Sequence, residues 1–143
     1  LHEKGVRIRA IGDISKFSSD IRESLEKVVE QTKHNTKITA VFALNYGGRD
    51  EVIRAVNNVI SDRLSDNRKL TPDTFSSFLD TAGMPDPDLI IRTGGEQRLS
   101  GFLPWQSQYS ELYFPSWYMP DFTPERLDEA IEEYSSRKRR FGK

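Results

Sequence analysis

The stretch Pro87-Asp88-Leu89-Ile90-Ile91-Arg92-Thr93-Gly94-Gly95-Glu96-Gln97-Arg98-Leu99-Ser100 decides how this chain reads. Leu89-Ile90-Ile91 is a short apolar run of the kind that forms a strand inside a sheet. It passes directly into a loop that holds two arginines, two hydroxyls and a Gly-Gly. Arginine presents a rigid fork of N–H donors that matches phosphate oxygens two at a time. Glycines after a strand let backbone N–H groups come close to an anion. Two readings stand side by side for these arginines. Either they bind a phosphorylated ligand, or Arg92 and Arg98 pair with Asp88, Glu96 or Glu111. The second explains one arginine easily and two less well.

Working outward, two more predicted strands also end in glycine. Val6 to Ile11 stops at Gly12-Asp13, and the apolar run Ile38 to Leu44 stops at Asn45-Tyr46-Gly47-Gly48. The second run has the pattern of a strand buried on both faces. Ile21, Leu25, Val28 and Val29 recur at helical spacing, and Val52, Val56, Val59 and Ile60 form a second such stripe. Thr71-Pro72 and Thr123-Pro124 each set a capping hydroxyl before a proline at the first helical position. The first helix is expected to carry Phe75, Phe78 and Leu79 and to stop near Gly83, the second to carry Leu127, Ile131 and Tyr134. Strands alternating with helices predict an α/β fold with an open, mostly parallel sheet and flanking helices. In such sheets ligands bind at the carboxyl ends of the strands, where all three glycine loops would lie.

The 143 residues suffice for one globular domain, and no repeat, low-complexity segment or Pro/Gly-rich linker divides them, so residues 1–143 are read as a single domain. Hydrophobic residues make up 36% and charged residues 30%, a polar balance that leaves room for apolar surface to be covered by something outside this sequence. The formal net charge of −1 provides no global field to recruit nucleic acid or an anionic membrane. The absence of cysteine excludes disulfides and thiolate metal sites and accords with a reducing compartment. No apolar run approaches the roughly 18–20 residues needed to cross a bilayer. The chain opens on Leu1 and enters a strand almost at once, so it reads as a fragment. His2 and His34 lie far apart and read as surface residues. The basic run Arg137-Lys138-Arg139-Arg140 reads as the solvated end of a helix, where cations complement the dipole. Phe102, Trp105, Tyr109, Tyr113, Phe114, Trp117 and Tyr118 form a segment too aromatic for an ordinary surface; it suits a core or a homodimer interface. Asp13, Glu51, Asp88 and Asp121 flank loops or turns and are assigned no catalytic role, with Asp88 expected at most to orient Arg92.

Extended through Gly101-Phe102-Leu103-Pro104-Trp105-Gln106, the opening stretch resembles the signature of the cis-prenyltransferases. Ile11-Gly12-Asp13, Asn45-Tyr46-Gly47-Gly48-Arg49, Tyr109-Ser110-Glu111-Leu112-Tyr113-Phe114 and Arg139-Arg140-Phe141-Gly142 match further blocks of that family in the same order. The resemblance covers essentially the whole chain. It implies the C-terminal part of a catalytic domain of the undecaprenyl diphosphate synthase type, with the N-terminal portion of the fold missing. It implies a Mg²⁺-dependent transferase that condenses isopentenyl diphosphate with an allylic diphosphate, farnesyl diphosphate by default, into a long-chain cis-polyprenyl diphosphate such as undecaprenyl diphosphate for a cell-wall lipid carrier. Arg92, Arg98 and Ser100, with Gly94 and Gly95, would hold the diphosphate of isopentenyl diphosphate. Glu111 would sit near Mg²⁺, and Arg140 and Gly142 would reach the partner subunit's site in a homodimer. The resemblance also implies a cytoplasmic enzyme that makes at most peripheral membrane contact and binds no nucleic acid. The family's His-x-x-x-Asp-Gly-Asn-x-Arg-Trp block, which holds the catalytic aspartate, has no counterpart here, so this chain alone is expected to be inactive. Met119 and Asp50 are smaller departures from the family pattern, and neither touches a diphosphate ligand. Two other readings remain open. One is a non-catalytic subunit of a heteromeric cis-prenyltransferase, although such partners tend to lose the Arg-Thr-Gly-Gly-x-x-Arg-x-Ser block that is intact here. The other is a nucleotide- or phosphosugar-binding domain that reached a similar loop independently.

Overall fold

A computed structural model describes residues 3–63 and 69–137. The first unit, Leu1–Gly83, contains strand β1 (Val6–Ile11), helix α1 (Ser19–Thr32), strand β2 (Ile38–Ala43), helix α2 (Gly48–Arg63) and the short helix α3 (Pro72–Ser76). The second unit, Met84–Lys143, contains strands β3 (Leu89–Ile91) and β4 (Glu111–Tyr113) and helix α4 (Pro124–Ser136). The fold is α/β with parallel strand pairs, as the alternation of strands and helices predicts. β1 pairs with β2 from Val6 opposite Ile38 to Ile11 opposite Ala43. β3 pairs with β4 from Leu89 opposite Glu111 to Ile91 opposite Tyr113.

In the first unit α1 packs on β1, and its buried Thr32 ties the two together: Thr32 Oγ1 accepts the Ile8 N–H at 3.0 Å. A separate core forms where Ala55 and Val59 of α2 meet Phe75 and Leu79, with Val52 and Phe78 packed around them. Burying the valine, phenylalanine and leucine side chains contributes about 1.5–3 kcal/mol each. The buried stripe of α2 is therefore Glu51, Ala55 and Val59, not the expected Val52, Val56, Val59 and Ile60; Val56 and Ile60 face outward. Periodicity finds an apolar stripe but cannot say which edge of it a neighbour covers. Helix α3 ends at Ser76, earlier than expected, and the chain reaches Gly83 through turns. Its start is as predicted, with Thr71 ahead of Pro72 and a reciprocal capping box between Thr71 and Thr74.

Strand β2 departs most from expectation. Its apolar run suggests burial on both faces, yet Ile38 is 62% and Phe42 48% exposed. β2 has β1 as its described partner, and α1 packs on β1. Leu127 and Ile131 of α4 are likewise exposed, while Ala130 between them is fully buried.

Loops at the carboxyl ends of β1 and β2 are fastened to each other. The Asp13 N–H donates to the Asn45 carbonyl at 3.3 Å, and Asn45 Nδ2 donates to the Asp13 carbonyl at 3.1 Å. Gly12, at φ +101°, permits this close approach: a Cβ there would stand 2.2 Å from the Leu44 carbonyl oxygen. Beneath the loops lies Glu51, 1% exposed, which accepts the Tyr46 hydroxyl at 2.5 Å and the Asp80 N–H at 3.0 Å. Asp80 in turn accepts the Gly12 N–H at 2.8 Å and both terminal nitrogens of Arg54 at 2.7 Å. The Arg54 guanidinium and, secondarily, the Gly12 N–H hold the Asp80 carboxyl below its ordinary 3.8. Glu51 is thus a structural anchor of the strand ends. No short sequence spacing signals that role, because Asp80 lies 29 residues away.

Candidate diphosphate site

β3 delivers Arg92 to the site. Beyond Ile91 the pairing with β4 continues for one more bond, from the Arg92 N–H to the Tyr113 carbonyl at 2.9 Å, which fixes the arginine at the carboxyl end of the pair. The loop that follows is built on left-handed backbone: Gly94 (φ 90°), Gly95 (φ 74°), Ser100 (φ 50°), Gly101 (φ 81°) and Leu103 (φ 47°). Non-glycine residues adopt this region at a cost, and such conformations gather where function requires them. Here the curl returns Ser100 to Arg92. Arg92 Nη1 donates to Ser100 Oγ at 2.9 Å and to the Arg98 carbonyl oxygen. One edge of the guanidinium is thereby locked, while Nε and Nη2 make no hydrogen bond among the described residues. The arginine and serine border a cleft of about 410 Å³ whose walls include Ile90, Thr93, Leu99 and Phe102.

Each residue singled out in the sequence can now be placed. Arg92 and Ser100 come together directly, and Arg92 forms no ion pair with a carboxylate among the described residues. Asp88 does not orient it; Ser100 and the Arg98 carbonyl do. Arg98 pairs with Glu96, with its side chain 61% exposed, so the ion-pair reading holds for this arginine. Gly94 and Gly95 do a different job from the one expected. Their N–H groups are directed at the protein, Gly94 donating to the Trp117 carbonyl and Gly95 to the Pro115 carbonyl, each at 2.8 Å. These glycines clamp the loop to residues 115–117 through positive φ instead of offering donors to an anion. Arg140 and Gly142 lie outside the described residues, as does His2. His34 is exposed.

Glu111 opens β4 opposite Leu89, three residues before the level of Arg92, or roughly 10 Å of strand. Its described charged partner is Arg137, whose Nη1 donates to Glu111 Oε2 at 2.9 Å and to the Leu112 carbonyl at 3.0 Å. Arg137 also grips Glu133 of α4, with Nη2 to Oε1 at 2.5 Å. Glu111 and then Glu133 hold the Arg137 guanidinium above its ordinary range. The basic run is therefore more than a solvated helix end, since its first member reaches across 26 residues to a candidate ligand. No cluster of three or more His, Cys, Asp or Glu residues converges to hold a metal among the described residues. Glu111 nevertheless fits Mg²⁺ as one hard oxygen ligand through Oε1, which accepts no hydrogen bond from the described residues. Mg²⁺ commonly binds one or two carboxylates and takes its remaining ligands from substrate phosphates and water.

The aromatic segment is only partly core. Trp117 packs on Phe122 with ring centroids 5.3 Å apart, and the Arg126 guanidinium lies 6.0 Å from the Trp117 ring. Tyr109 is 63% and Tyr118 69% exposed. No helix among the described residues is long and apolar enough to cross a membrane.

Comparison with known proteins identifies the family. Residues 1–142 match the family model described as "Putative undecaprenyl diphosphate synthase". The isoprenyl transferase of Agrobacterium fabrum is 53% identical over 146 residues, covering 99% of this chain and 59% of that protein. The isoprenyl transferase of Clostridium perfringens is 46% identical, covering 99% and 57%. Among solved structures, a probable undecaprenyl diphosphate synthase from Campylobacter jejuni superposes with a TM-score of 0.88 at 38% identity, covering 100% of this chain and 66% of that one. Lavandulyl diphosphate synthase from Lavandula x intermedia, solved in complex with dimethylallyl diphosphate, gives 0.91 at 31% identity, covering 96% and 61%. The chain thus spans rather more than half the length of the curated relatives it matches. With its strand-end arginine loop and a match running from end to end, the chain belongs to the cis-prenyltransferase family of undecaprenyl diphosphate synthases.

Proposed function

We propose that this chain forms the isopentenyl diphosphate-binding part of a Mg²⁺-dependent, homodimeric, cytoplasmic cis-prenyltransferase that elongates an allylic diphosphate. Farnesyl diphosphate is the default starter and undecaprenyl diphosphate the default product. The observation that carries this reading is the Arg92 fork, locked on one edge by Ser100 and the Arg98 carbonyl, with its remaining donors available beside a partly apolar cleft. A diphosphate ester with a short hydrocarbon tail has the same two-part character.

In the reaction, the allylic C–O bond breaks and diphosphate leaves. The alkene carbon of isopentenyl diphosphate forms the new C–C bond, and loss of a proton restores a double bond. The chain grows by five carbons and retains the isopentenyl diphosphate group. Arg92, Ser100 and Arg98 hold that retained diphosphate, so that the nucleophilic alkene sits at a fixed distance from the electrophile. For Arg98 this requires exchanging Glu96 for a phosphate oxygen, a change of partner between two anions. Mg²⁺, with Glu111 as one ligand, would supply charge neutralisation for diphosphate oxygens. The exposed aromatics between Phe102 and Tyr118 would bury against a second copy, and the tail carrying Arg140 and Gly142 would serve the neighbour's site.

Titration calorimetry of the 143-residue chain with isopentenyl diphosphate and Mg²⁺ tests the reading. Binding is expected, with a mononucleotide binding far more weakly. The same chain, given farnesyl diphosphate and labelled isopentenyl diphosphate, should make no long-chain product, because the family's catalytic aspartate block is not in this sequence. Preference for the mononucleotide would overturn the assignment.

A further inference from the structure

We propose that Arg137 is a positioning residue that aims the Glu111 carboxylate; the inference rests on the diphosphate-site reading above. Three acceptors from two elements converge on this one side chain: Glu111 Oε2 and the Leu112 carbonyl from β4, and Glu133 from α4. Arg137 is also the C-cap of α4, its N–H donating to the Tyr134 carbonyl at 3.2 Å. Capping the helix needs only that backbone N–H. The bond to Glu111 goes beyond that requirement and selects which oxygen of the carboxylate is occupied. With Oε2 taken by Arg137, Oε1 is the oxygen left for a cation or for a water that bridges to one.

The pair is also sheltered. The Arg137 and Glu111 side chains are 29% and 27% exposed, less than those of the Arg126–Glu129 pair on the same helix, at 43% and 49%. A solvated pair holds neither partner still. A half-buried guanidinium with three fixed acceptors does hold its partner, and lysine could not, since a single ammonium lacks the planar fork that spans β4 and α4. Residues that orient a metal-binding carboxylate typically change metal affinity 10–100-fold when removed.

The test uses the 143-residue chain, isopentenyl diphosphate and Mn²⁺ as a spectroscopic substitute for Mg²⁺, read by electron paramagnetic resonance. Arg137→Ala should weaken Mn²⁺ binding about 10–100-fold in the presence of isopentenyl diphosphate, and Arg137→Lys should restore little of it. Glu111→Gln should weaken it comparably, and adding Arg137→Ala to Glu111→Gln should cost little more, because both changes remove one function. In the metal-free chain, the Arg137 Nη1–H resonance should move on Glu111→Gln, a signature that needs no ligand and no alanine variant. Unchanged Mn²⁺ affinity in Arg137→Ala, full rescue by lysine, or additive losses in the double variant would each overturn the inference while leaving the diphosphate site standing. Failure of the unaltered chain to bind isopentenyl diphosphate at all would overturn the functional reading and this inference with it.

Discussion

Replacing Arg92 tests the site where its geometry is most specific. In the structure one edge of this guanidinium is spent on Ser100 Oγ and the Arg98 carbonyl, and its other donors remain for a ligand. A charge-assisted hydrogen bond contributes about 1.5–3 kcal/mol. Two such bonds to one diphosphate are not additive, so about 3 kcal/mol is a reasonable total. Arg92→Ala should therefore raise the Kd for isopentenyl diphosphate about a hundredfold. Arg98→Ala should cost less, about 1.5 kcal/mol or tenfold, because Arg98 is 61% exposed and must first give up Glu96. Arg92→Lys keeps the charge but cannot hold the loop on one edge and fork a phosphate on the other, so its loss should lie between the two. Calorimetry measures all three, with thermal unfolding as a control; the bonds Arg92 makes within the protein are exposed, and its removal should alter stability by about 1 kcal/mol or less. If Arg92→Ala bound as tightly as the unaltered chain, or if Arg98→Ala were the more damaging, the locked-fork account would be wrong.

Further outcomes follow from other parts of the molecule. Gly12→Ala should destabilise the first unit by about 3–5 kcal/mol, combining backbone strain with a collision at the Leu44 carbonyl. Gly83→Ala, at φ +73° with nothing within 4 Å, should cost only about 1–2 kcal/mol; equal costs in thermal melts would contradict the close-approach argument. Asp80 is held below its ordinary 3.8, so its contribution to stability is complete above that value and drains away as pH falls through the lower folded value. The difference in Tm between the unaltered chain and Asp80→Asn should accordingly be steady from pH 7 to about 5 and begin to shrink below about 4; a gap as large at pH 3 as at pH 7 would refute the assignment. In an active enzyme carrying this chain, deletion from Arg140 onward should lower turnover sharply and leave the dimer and its Tm nearly unchanged. Activity should return on mixing with a full-tailed subunit bearing Arg92→Ala, and a mixture that stays inactive despite proven subunit exchange would place the tail in its own subunit.

Local chemistry makes much of this protein legible from its sequence. β-rich runs ending in glycine located β1, β2 and β3, and Thr-Pro pairs marked the starts of α3 and α4, because strand propensity and helix capping act over a few residues. The Arg92–Ser100 loop was legible for the same reason, since its two key groups lie eight residues apart and meet within one turn of chain. Tertiary structure alone decided what depends on a distant neighbour. Glu51 is buried because Asp80 and Tyr46 close over it, not because its own segment is apolar. The outward face of β2 is apolar and open because covering a face takes a partner, and hydrophobicity names no partner. Gly94 and Gly95 turned out to donate to Trp117 and Pro115, acceptors that neither residue type nor spacing identifies. Arg137 reached Glu111 only once the fold had brought α4 beside β4, since a hydrogen bond requires donor and acceptor at about 3 Å whatever their separation along the chain.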